Sequence, residues 1–123
     1  MLLTKRFDTM KLPNADHALV PEAKVLEYLL AEAHPRGRYK AAFFLSLGFE
    51  RREWRKFDTV LTRHPAEHDV CRVEDSRFGK RYVIDGPIDA PDGSRPGIRT
   101  VWFVETGGDI PVLVTAYPVK ERR

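Results

Sequence analysis

The 123-residue chain is long enough for one hydrophobic core and too short for two independent ones. Its hydrophobic fraction of 42% and charged fraction of 32% are typical of a folded domain, not of a disordered chain. No apolar run approaches the roughly 18 residues that cross a bilayer, and charges at Lys5, Arg6 and Asp8 come too early for a signal peptide. We therefore expect a cytoplasmic protein with no membrane partner. The single cysteine, Cys71, can form neither an internal disulfide nor a paired-cysteine zinc site, and we expect it to be a buried thiol.

The basic residues are unevenly distributed along the chain. The formal net charge is only +3, but the segment 36–56 has seven basic residues against two acidic ones, a net of about +5. A run of this kind is usually a solvated face, and its other interpretation is a surface that binds a polyanion. Composition alone leaves both interpretations open.

The first half of the chain has the three-and-four spacing of apolar residues that indicates helices. Pro21 suits a first helical turn, whereas Pro35 and Gly37 interrupt the pattern. Gly48 is a natural end for a second helix, and His64-Pro65 for a third. We predict three helices, over residues 21–33, 38–47 and 51–63.

After Pro65 the period changes to two and turn residues recur at regular intervals, which favours a β-meander. We predict four strands, over residues 69–74, 80–85, 97–105 and 111–118. The predicted fold class is α+β, with about three N-terminal helices packed on one face of a four-stranded antiparallel sheet. Residues 11–118 would form this single domain, with an N-terminal extension without fixed structure at 1–10 and a basic C-terminal tail at 119–123. Function is then expected on the uncovered sheet face.

Several familiar catalytic patterns do not occur in the sequence. It contains no GxxxxGK[ST], GxGxxG, HExxH or GxSxG motif, so nucleotide hydrolysis, dinucleotide redox chemistry, zinc proteolysis and α/β-hydrolase chemistry have no support. Asp85, Asp89 and Asp92 span a strand end and a turn, and we expect turn roles for them. We expect His64 and His68 to be loop histidines, and we expect no metal and no cofactor.

One set of polar residues has the chemistry that RNA cleavage without a metal needs. Such cleavage removes a proton from the 2′-hydroxyl, adds one to the 5′-oxygen and stabilises a dianionic phosphorane, which His, Tyr, Lys and Arg side chains can do. His34, Arg38 and Lys40 lie at the junction of the first two helices, and Arg99, Thr115 and Tyr117 lie in the last two strands. His34 has an alternative role as a cap on the preceding helix.

Strict alternation makes a specific prediction for the last strand. Leu113, Thr115 and Tyr117 would share one face, and Val112, Val114 and Ala116 would lie on the other face, towards the core. The facing of Arg99 stays open, because Arg99 alternates with Val101 and Phe103 whereas Thr100 groups with Ile98 and Trp102. Thr115 and Tyr117 also have an alternative role simply as good strand formers.

Several sequence blocks occur together in a recognisable order. They are Leu12-Pro13-Asn14-Ala15, Tyr28-Leu29-Leu30, His34-Pro35-Arg36-Gly37-Arg38-Tyr39-Lys40-Ala41-Ala42-Phe43-Phe44, Leu47-Gly48-Phe49, Gly79-Lys80-Arg81-Tyr82-Val83-Ile84-Asp85-Gly86, Pro91-Asp92-Gly93, Arg99-Thr100-Val101-Trp102 and Val114-Thr115-Ala116-Tyr117-Pro118. In these blocks, over about residues 11–118, the chain resembles an uncharacterised bacterial domain family (DUF6883-like).

The HPxGxxKAxFF block and the terminal Thr-Ala-Tyr-Pro are in turn similar to toxin modules of the barnase, EndoU, colicin and RelE (BECR) superfamily, which are metal-independent ribonucleases. This resemblance implies an RNA substrate, with no DNA specificity, and a small neutralising antitoxin or immunity protein as partner. The catalytic residues of that superfamily vary between members, so the resemblance assigns no role to a single residue. As our own hypothesis, we assign general acid/base work to His34, phosphate contact to Lys40 and Arg99, and positioning or proton transfer to Thr115 and Tyr117. We add substrate-binding roles for Arg36, Arg38 and Trp102.

A second class of function stays open. In this alternative, the domain is a non-catalytic protein- or nucleic-acid-binding module of a toxin–antitoxin or immunity-type system. It would bind its partner through the open sheet face and the aromatic residues Trp54 and Trp102. Immunity proteins commonly oppose a basic toxin with an acidic face, which the sequence pI of about 9.2 does not favour. Convergence of the polar set in space would favour the enzyme over the binding module.

Overall fold

A computed structural model describes residues 10–119 of the protein. Three helices precede a four-stranded antiparallel sheet, as predicted. Helix α1 begins with the turn Glu22–Lys24 and continues as a π-helix over Val25–Leu29; α2 spans Arg38–Ser46, and α3 spans Trp54–Glu67. Short 3₁₀ turns lie at Ala15–His17 and Arg51–Glu53. The strands are β1 (Val70–Ser76), β2 (Gly79–Pro87), β3 (Gly97–Glu105) and β4 (Val112–Pro118). The expected N-terminal extension and C-terminal tail lie outside the described residues, apart from Met10 and Val119.

The sheet has the order β1-β2-β3-β4, so each strand pairs with its neighbour in sequence and β1 and β4 are the edges. Parts of both edges are covered by the N-terminal segment. The N–H of Val70 donates to the carbonyl of Met10 at 2.7 Å, and Leu19 pairs in parallel with β4 through its hydrogen bonds to Pro111 and Leu113. These contacts satisfy backbone groups that an open edge would leave available to another chain.

The hydrophobic core lies between the helices and one face of the sheet. Ring centroids of Phe44 and Phe57 are 4.7 Å apart, and Phe49 lies 4.6 Å from Phe57, so aromatic side chains of α2 and α3 pack together. The fully buried residues of the sheet that join this core include Ile84, Ile98, Trp102 and Ala116. Within residues 10–119, every helix is too short or too polar to span a bilayer.

Two predicted helix ends differ from the structure. Helix α1 ends at Leu29 and not at Ala33, because the π-helical turn closed by the N–H of Leu30 on the carbonyl of Val25 is followed by non-helical backbone at Leu30. Helix α3 passes through Pro65 to Glu67. Proline removes one N–H donor from the helix, but Pro65 is buried in the last turn, so few helical hydrogen bonds depend on it.

His64 is a buried helix residue, and our prediction of a loop histidine is wrong. The Trp102 indole N–H donates to Thr100 Oγ1 at 2.8 Å, and the Thr100 hydroxyl lies 2.8 Å from His64 Nδ1. His64 Nε2 lies 3.0 Å from the carbonyl of Gly86, which can only accept, so the ring proton is on Nε2 and Nδ1 accepts from Thr100. Burial is the main cause that lowers the pKa of His64 to about 4.

We predict that this histidine makes stability depend on pH. Its pKa falls from 6.5 in the unfolded chain to about 4 in the fold, so the stabilisation is complete above pH 6.5 and is lost as the pH falls towards 4. The loss should approach about 3 kcal/mol. Urea unfolding between pH 7 and 4 measures it, with His64→Gln as the non-titrating comparison. An equal pH dependence in both proteins would contradict this role of His64.

Candidate active site

The face of the sheet opposite the core carries a row of polar residues in register. Arg99 pairs with Asp85 of β2 and with Tyr117 of β4, and paired residues share a face. Their chain neighbours Thr100 and Ala116 are fully buried on the core side. We call the face with Asp85, Arg99 and Tyr117 the open face, and this register settles the facing of Arg99 that alternation in β3 left open.

Arg99 is held by a two-pronged ion pair. Its Nε and Nη2 donate to the two carboxylate oxygens of Asp85 at 2.7 and 2.8 Å. The hydrogen bond from Arg99 is the main cause that lowers the pKa of Asp85, and Asp85 and Tyr117 both raise the pKa of Arg99 through hydrogen bonds. Asp85 is therefore a strand residue that fixes Arg99, and our prediction of a turn role for it is wrong.

The remaining two aspartates lie where they were predicted. Asp92 accepts hydrogen bonds from the backbone N–H and the hydroxyl of Ser94, at 2.9 and 2.6 Å, and so closes a turn. Asp89 forms an exposed ion pair with Arg95. Among residues 10–119, no group of three His, Cys, Asp or Glu side chains could hold a metal ion.

Two β-bulges change which residues reach the open face, one where β1 pairs with β2 and one where β3 pairs with β4. In β1 the register shifts between Val70 and Arg72, and Cys71 at this bulge is exposed. The prediction of a buried thiol is therefore wrong. Partial burial of the thiol and the negative charge of Asp85 raise the pKa of Cys71. The raised pKa disfavours the nucleophilic thiolate.

The second bulge lies between β3 and β4. Val101 pairs with Thr115 whereas Trp102 pairs with Leu113, so one extra residue, Val114, lies between partners that would be adjacent in a regular ladder. Leu113 consequently joins Ala116 in the core, and our assignment of Leu113 to the face of Thr115 and Tyr117 is wrong. Thr115 and Tyr117 keep the predicted facing.

Lys40 connects the helices to this face. Helix α2 contacts β4, and the Lys40 ammonium donates to Thr115 Oγ1 at 3.0 Å and to the Tyr28 hydroxyl at 2.7 Å. It also lies 4.9 Å from the ring centroid of Tyr28 and 5.3 Å from that of Tyr117. Lys40, which is far in sequence from Thr115 and Tyr117, therefore meets them at the edge of the open face, and Arg99 adjoins them through Tyr117.

His34 holds the junction between α1 and α2. Its Nδ1 accepts hydrogen bonds from the backbone N–H groups of Arg36 and Gly37, both at 3.1 Å. The neutral ring therefore carries its proton on Nε2. The ring also meets Tyr28 edge to face, with centroids 4.9 Å apart. His34 thus lies beside the Lys40 cluster and fixes both the loop and the Tyr28 ring.

Tyr28 is the site residue that sequence reasoning missed. It lies in the π-helical part of α1, and its hydroxyl accepts a hydrogen bond from Lys40, which also donates to Thr115. The hydrogen bond from Lys40 is the main cause that lowers its pKa. The available signal was its place in the Tyr-Leu-Leu block of the family resemblance, which we interpreted only as part of a helix.

The predicted substrate-binding residues divide into two groups. Arg36 and Arg38 are exposed beside the junction, and the Arg38 guanidinium lies 5.0 Å from the ring centroid of the exposed Tyr39. Trp102 is fully buried on the core side and donates to Thr100. Because a side chain with no exposed surface cannot contact a substrate on the open face, we remove Trp102 from the candidate site.

The domain is an α+β fold in which three helices pack on one face of an antiparallel meander, and the polar cluster lies where α1 and α2 meet β4. The chain belongs to the family described as "Domain of unknown function (DUF6883)", whose model matches residues 11–120. A search among curated proteins finds no match. The fold is similar to a chain of the contact-dependent growth inhibition toxin–immunity protein complex from Klebsiella pneumoniae 342. The TM-score is 0.68 at 15% identity, over 87% of this chain and 97% of the other.

We predict that Gly37→Ala disturbs the site through Tyr28. A Cβ at position 37 would lie 2.9 Å from the Tyr28 carbonyl oxygen and 3.0 Å from its ring Cδ1, closer than packed atoms tolerate. The backbone at Gly37, with φ of −100°, suits alanine, so the contact alone decides the outcome. We expect a loss of about 1–3 kcal/mol in the free energy of unfolding and shifted NMR signals of the Tyr28 ring.

Gly97→Ala is the matched control, since the nearest atom to its added Cβ is the Val119 carbonyl oxygen at 3.8 Å. Equal stability of the two variants, with unshifted Tyr28 signals, would show that Gly37 and Tyr28 do not approach each other closely.

Proposed function

We propose that this domain is a metal-independent endoribonuclease of toxin type, which cuts RNA by attack of a 2′-hydroxyl on the adjacent phosphorus. The observation that carries the proposal is the meeting of Lys40, Thr115 and Tyr117 beside Arg99 on the open face. Convergence of this set was the outcome that favours an enzyme over a binding module. Three of these four residues come from the sheet and one from a helix, so only the folded chain assembles them.

The phosphate would bind against the two cations. Lys40 is half-buried beside neutral oxygens and aromatic rings, and among residues 10–119 no carboxylate forms an ion pair with it. Arg99 is oriented by Asp85, and a guanidinium has N–H donors beyond the two that Asp85 receives. Exposed Arg36 and Arg38 would attract the RNA backbone to this edge.

The reaction moves two protons. The 2′-hydroxyl loses one as the bond from O2′ to phosphorus forms, and the 5′-oxygen gains one as its bond to phosphorus breaks, leaving a 2′,3′-cyclic phosphate and a 5′-hydroxyl. We assign Tyr117 to proton transfer and Thr115 to positioning. For His34 we now favour a positioning role, because a proton on Nδ1 would break its hydrogen bonds with Arg36 and Gly37.

The proposed partners are RNA and a small neutralising immunity protein. The fold likeness to a chain of a toxin–immunity protein complex supports a place in such a system, but that complex contains both kinds of protein. The Lys40 cluster favours the toxin side, since a neutralising protein has no need of a lysine held between tyrosine hydroxyl, threonine hydroxyl and two aromatic rings.

A non-catalytic nucleic-acid-binding module is the second candidate. The observation in its favour is the ion pair of Arg99 with Asp85, which satisfies the carboxylate and neutralises the arginine before any phosphate arrives. Such a module would bind RNA through Arg36, Arg38 and Lys40 without cutting it.

We predict that the purified chain cleaves RNA and that Lys40→Met lowers the rate at least about 100-fold, because the charge that faces the developing phosphorane is removed. Cleavage should persist in the presence of a metal chelator and leave 2′,3′-cyclic phosphate ends. The same pair of proteins, expressed under tight induction in bacteria, should differ in growth arrest and in fragmentation of total RNA.

Lys11→Met is the matched control, because Lys11 pairs with Asp69 away from the cluster and its loss should leave cleavage unchanged. Intact RNA with folded wild-type protein would reject the ribonuclease. RNA binding that Lys40→Met weakens, without cleavage, would then support the binding module. Cleavage that the chelator abolishes would reject the metal-independent mechanism.

A further inference from the structure

The Lys40 ammonium lies between two phenol side chains. Tyr28 and Tyr117 come from α1 and β4, and both ring centroids are within 5.3 Å of Lys40 Nζ. Cleavage by a 2′-hydroxyl needs a base on the side of the attacking oxygen and an acid on the side of the leaving oxygen. A phosphate bound at Lys40 would have two phenol side chains close to it.

The fold holds Tyr28 in place by three separate means. The π-helical turn Val25–Leu29 adds a residue to α1 at this point, and such turns are frequent at functional sites. Gly37 has no side chain where the Tyr28 ring passes, and a Cβ there would come within 3.0 Å of it. The His34 ring packs edge-on against the other side of the tyrosine. A tyrosine that only filled space would not need this arrangement.

The charged groups around Tyr28 favour its ionised form. Lys40 of α2 donates to the Tyr28 oxygen, and Lys24 of the same helix as Tyr28 lies 5.3 Å from the ring centroid. Thr115 of β4 accepts a hydrogen bond from the same ammonium, and the His34 ring of the junction packs against the Tyr28 ring edge to face. Hydrogen bonding and charge from Lys40 outweigh burial, so the pKa of Tyr28 is lowered.

We propose that Tyr28 is the catalytic base of this site, which takes the 2′-hydroxyl proton while Tyr117 donates a proton to the 5′-oxygen. The inference rests on the proposed ribonuclease function and adds a residue to it. As the bond from O2′ to phosphorus forms, the Tyr28 phenolate takes the proton and becomes a phenol. As the bond from phosphorus to O5′ breaks, the Tyr117 phenol gives up its proton and becomes a phenolate. Solvent then returns the proton from Tyr28 to Tyr117, and no other reactant is consumed.

The other polar groups of the cluster fit this step less well. His34 Nδ1 already accepts two backbone N–H groups, and its Nε2 carries the proton, so neither nitrogen is free to accept. The Lys40 ammonium has only donors, and Thr115 accepts one of them. Tyr28 is the group whose oxygen receives a charged donor and can carry a negative charge beside it.

The test uses two tyrosine variants of the full chain that remove the same atom. Tyr28→Phe should lower the cleavage rate at least about 100-fold. Tyr82→Phe is the control, since Tyr82 belongs to the core face and its loss should leave the rate within a few-fold of wild type. Thermal unfolding of both variants checks that they remain folded.

A second measurement reports on Tyr28 without any reaction. Ultraviolet absorbance of tyrosinate, followed from neutral to alkaline pH, should show one of the four tyrosines ionising before the others. Tyr28→Phe should remove this first step, and Lys40→Met should move it to higher pH. Difluorotyrosine at position 28, a stronger acid than tyrosine, should move the acidic limb of the pH profile of kcat/KM to lower pH, which a purely structural role would not do.

The outcomes separate the two proposals. If the wild-type chain cuts RNA and Tyr28→Phe cuts it equally well, the base assignment is overturned and the ribonuclease stands. If difluorotyrosine at position 28 leaves the pH profile of kcat/KM unchanged, the base assignment is likewise overturned and the ribonuclease stands. If the wild-type chain cuts no RNA although Tyr28 ionises first, the ribonuclease fails, and the catalytic role of Tyr28 fails with it. If Tyr28→Phe loses cleavage while Tyr82→Phe keeps it, and difluorotyrosine moves the acidic limb of the pH profile, both the ribonuclease and the base assignment are supported.

Discussion

Helices cover only one face of the sheet, and this constraint decides how every strand divides its residues between core and solvent. Adjacent residues of a strand point to opposite faces, so each strand turns alternate residues towards the helices and towards the open face, where Val83 and Val101 are also buried. In β3, Thr100 and Trp102 meet the helices whereas Arg99 does not. In β4, Ala116 is buried and Tyr117 is not. The same alternation that builds the core therefore also lines up Asp85, Arg99 and Tyr117 on the open face.

Sequence patterns predicted the fold class because they depend on local periodicity. The change of period after the third helix indicated the order of helices and strands, and β3 has the predicted bounds 97–105. The errors arise where tertiary packing overrides a local rule. Pro65 was predicted to end a helix, but it is buried and the helix continues. The bulge in β4 has no composition signal, since Leu113 and Val114 are equally suited to a core position.

The candidate site was predictable to the extent that it follows strand alternation. Thr115 and Tyr117 were placed together for that reason. Tyr28 could not be placed, because its position depends on a π-helical turn and on the close approach of Gly37, neither of which has a sequence period. The pairing of His64 with Thr100 was hidden for a similar reason: the partners lie 36 residues apart and meet only across the core.

The two cations of the site have different surroundings, and we infer that they differ in role. Asp85 neutralises Arg99 and orients it beside Tyr117, so Arg99 acts mainly to hold the phenol and to offer its remaining N–H donors. Within the part of the chain that the structure describes, the contacts of Lys40 are with neutral oxygens and ring faces, which leave its charge to be met by an anion. A phosphate would therefore be centred on Lys40. Because Tyr28 and Tyr117 flank that position, the geometry of the helix junction and of the edge strand together decides whether the site can do chemistry.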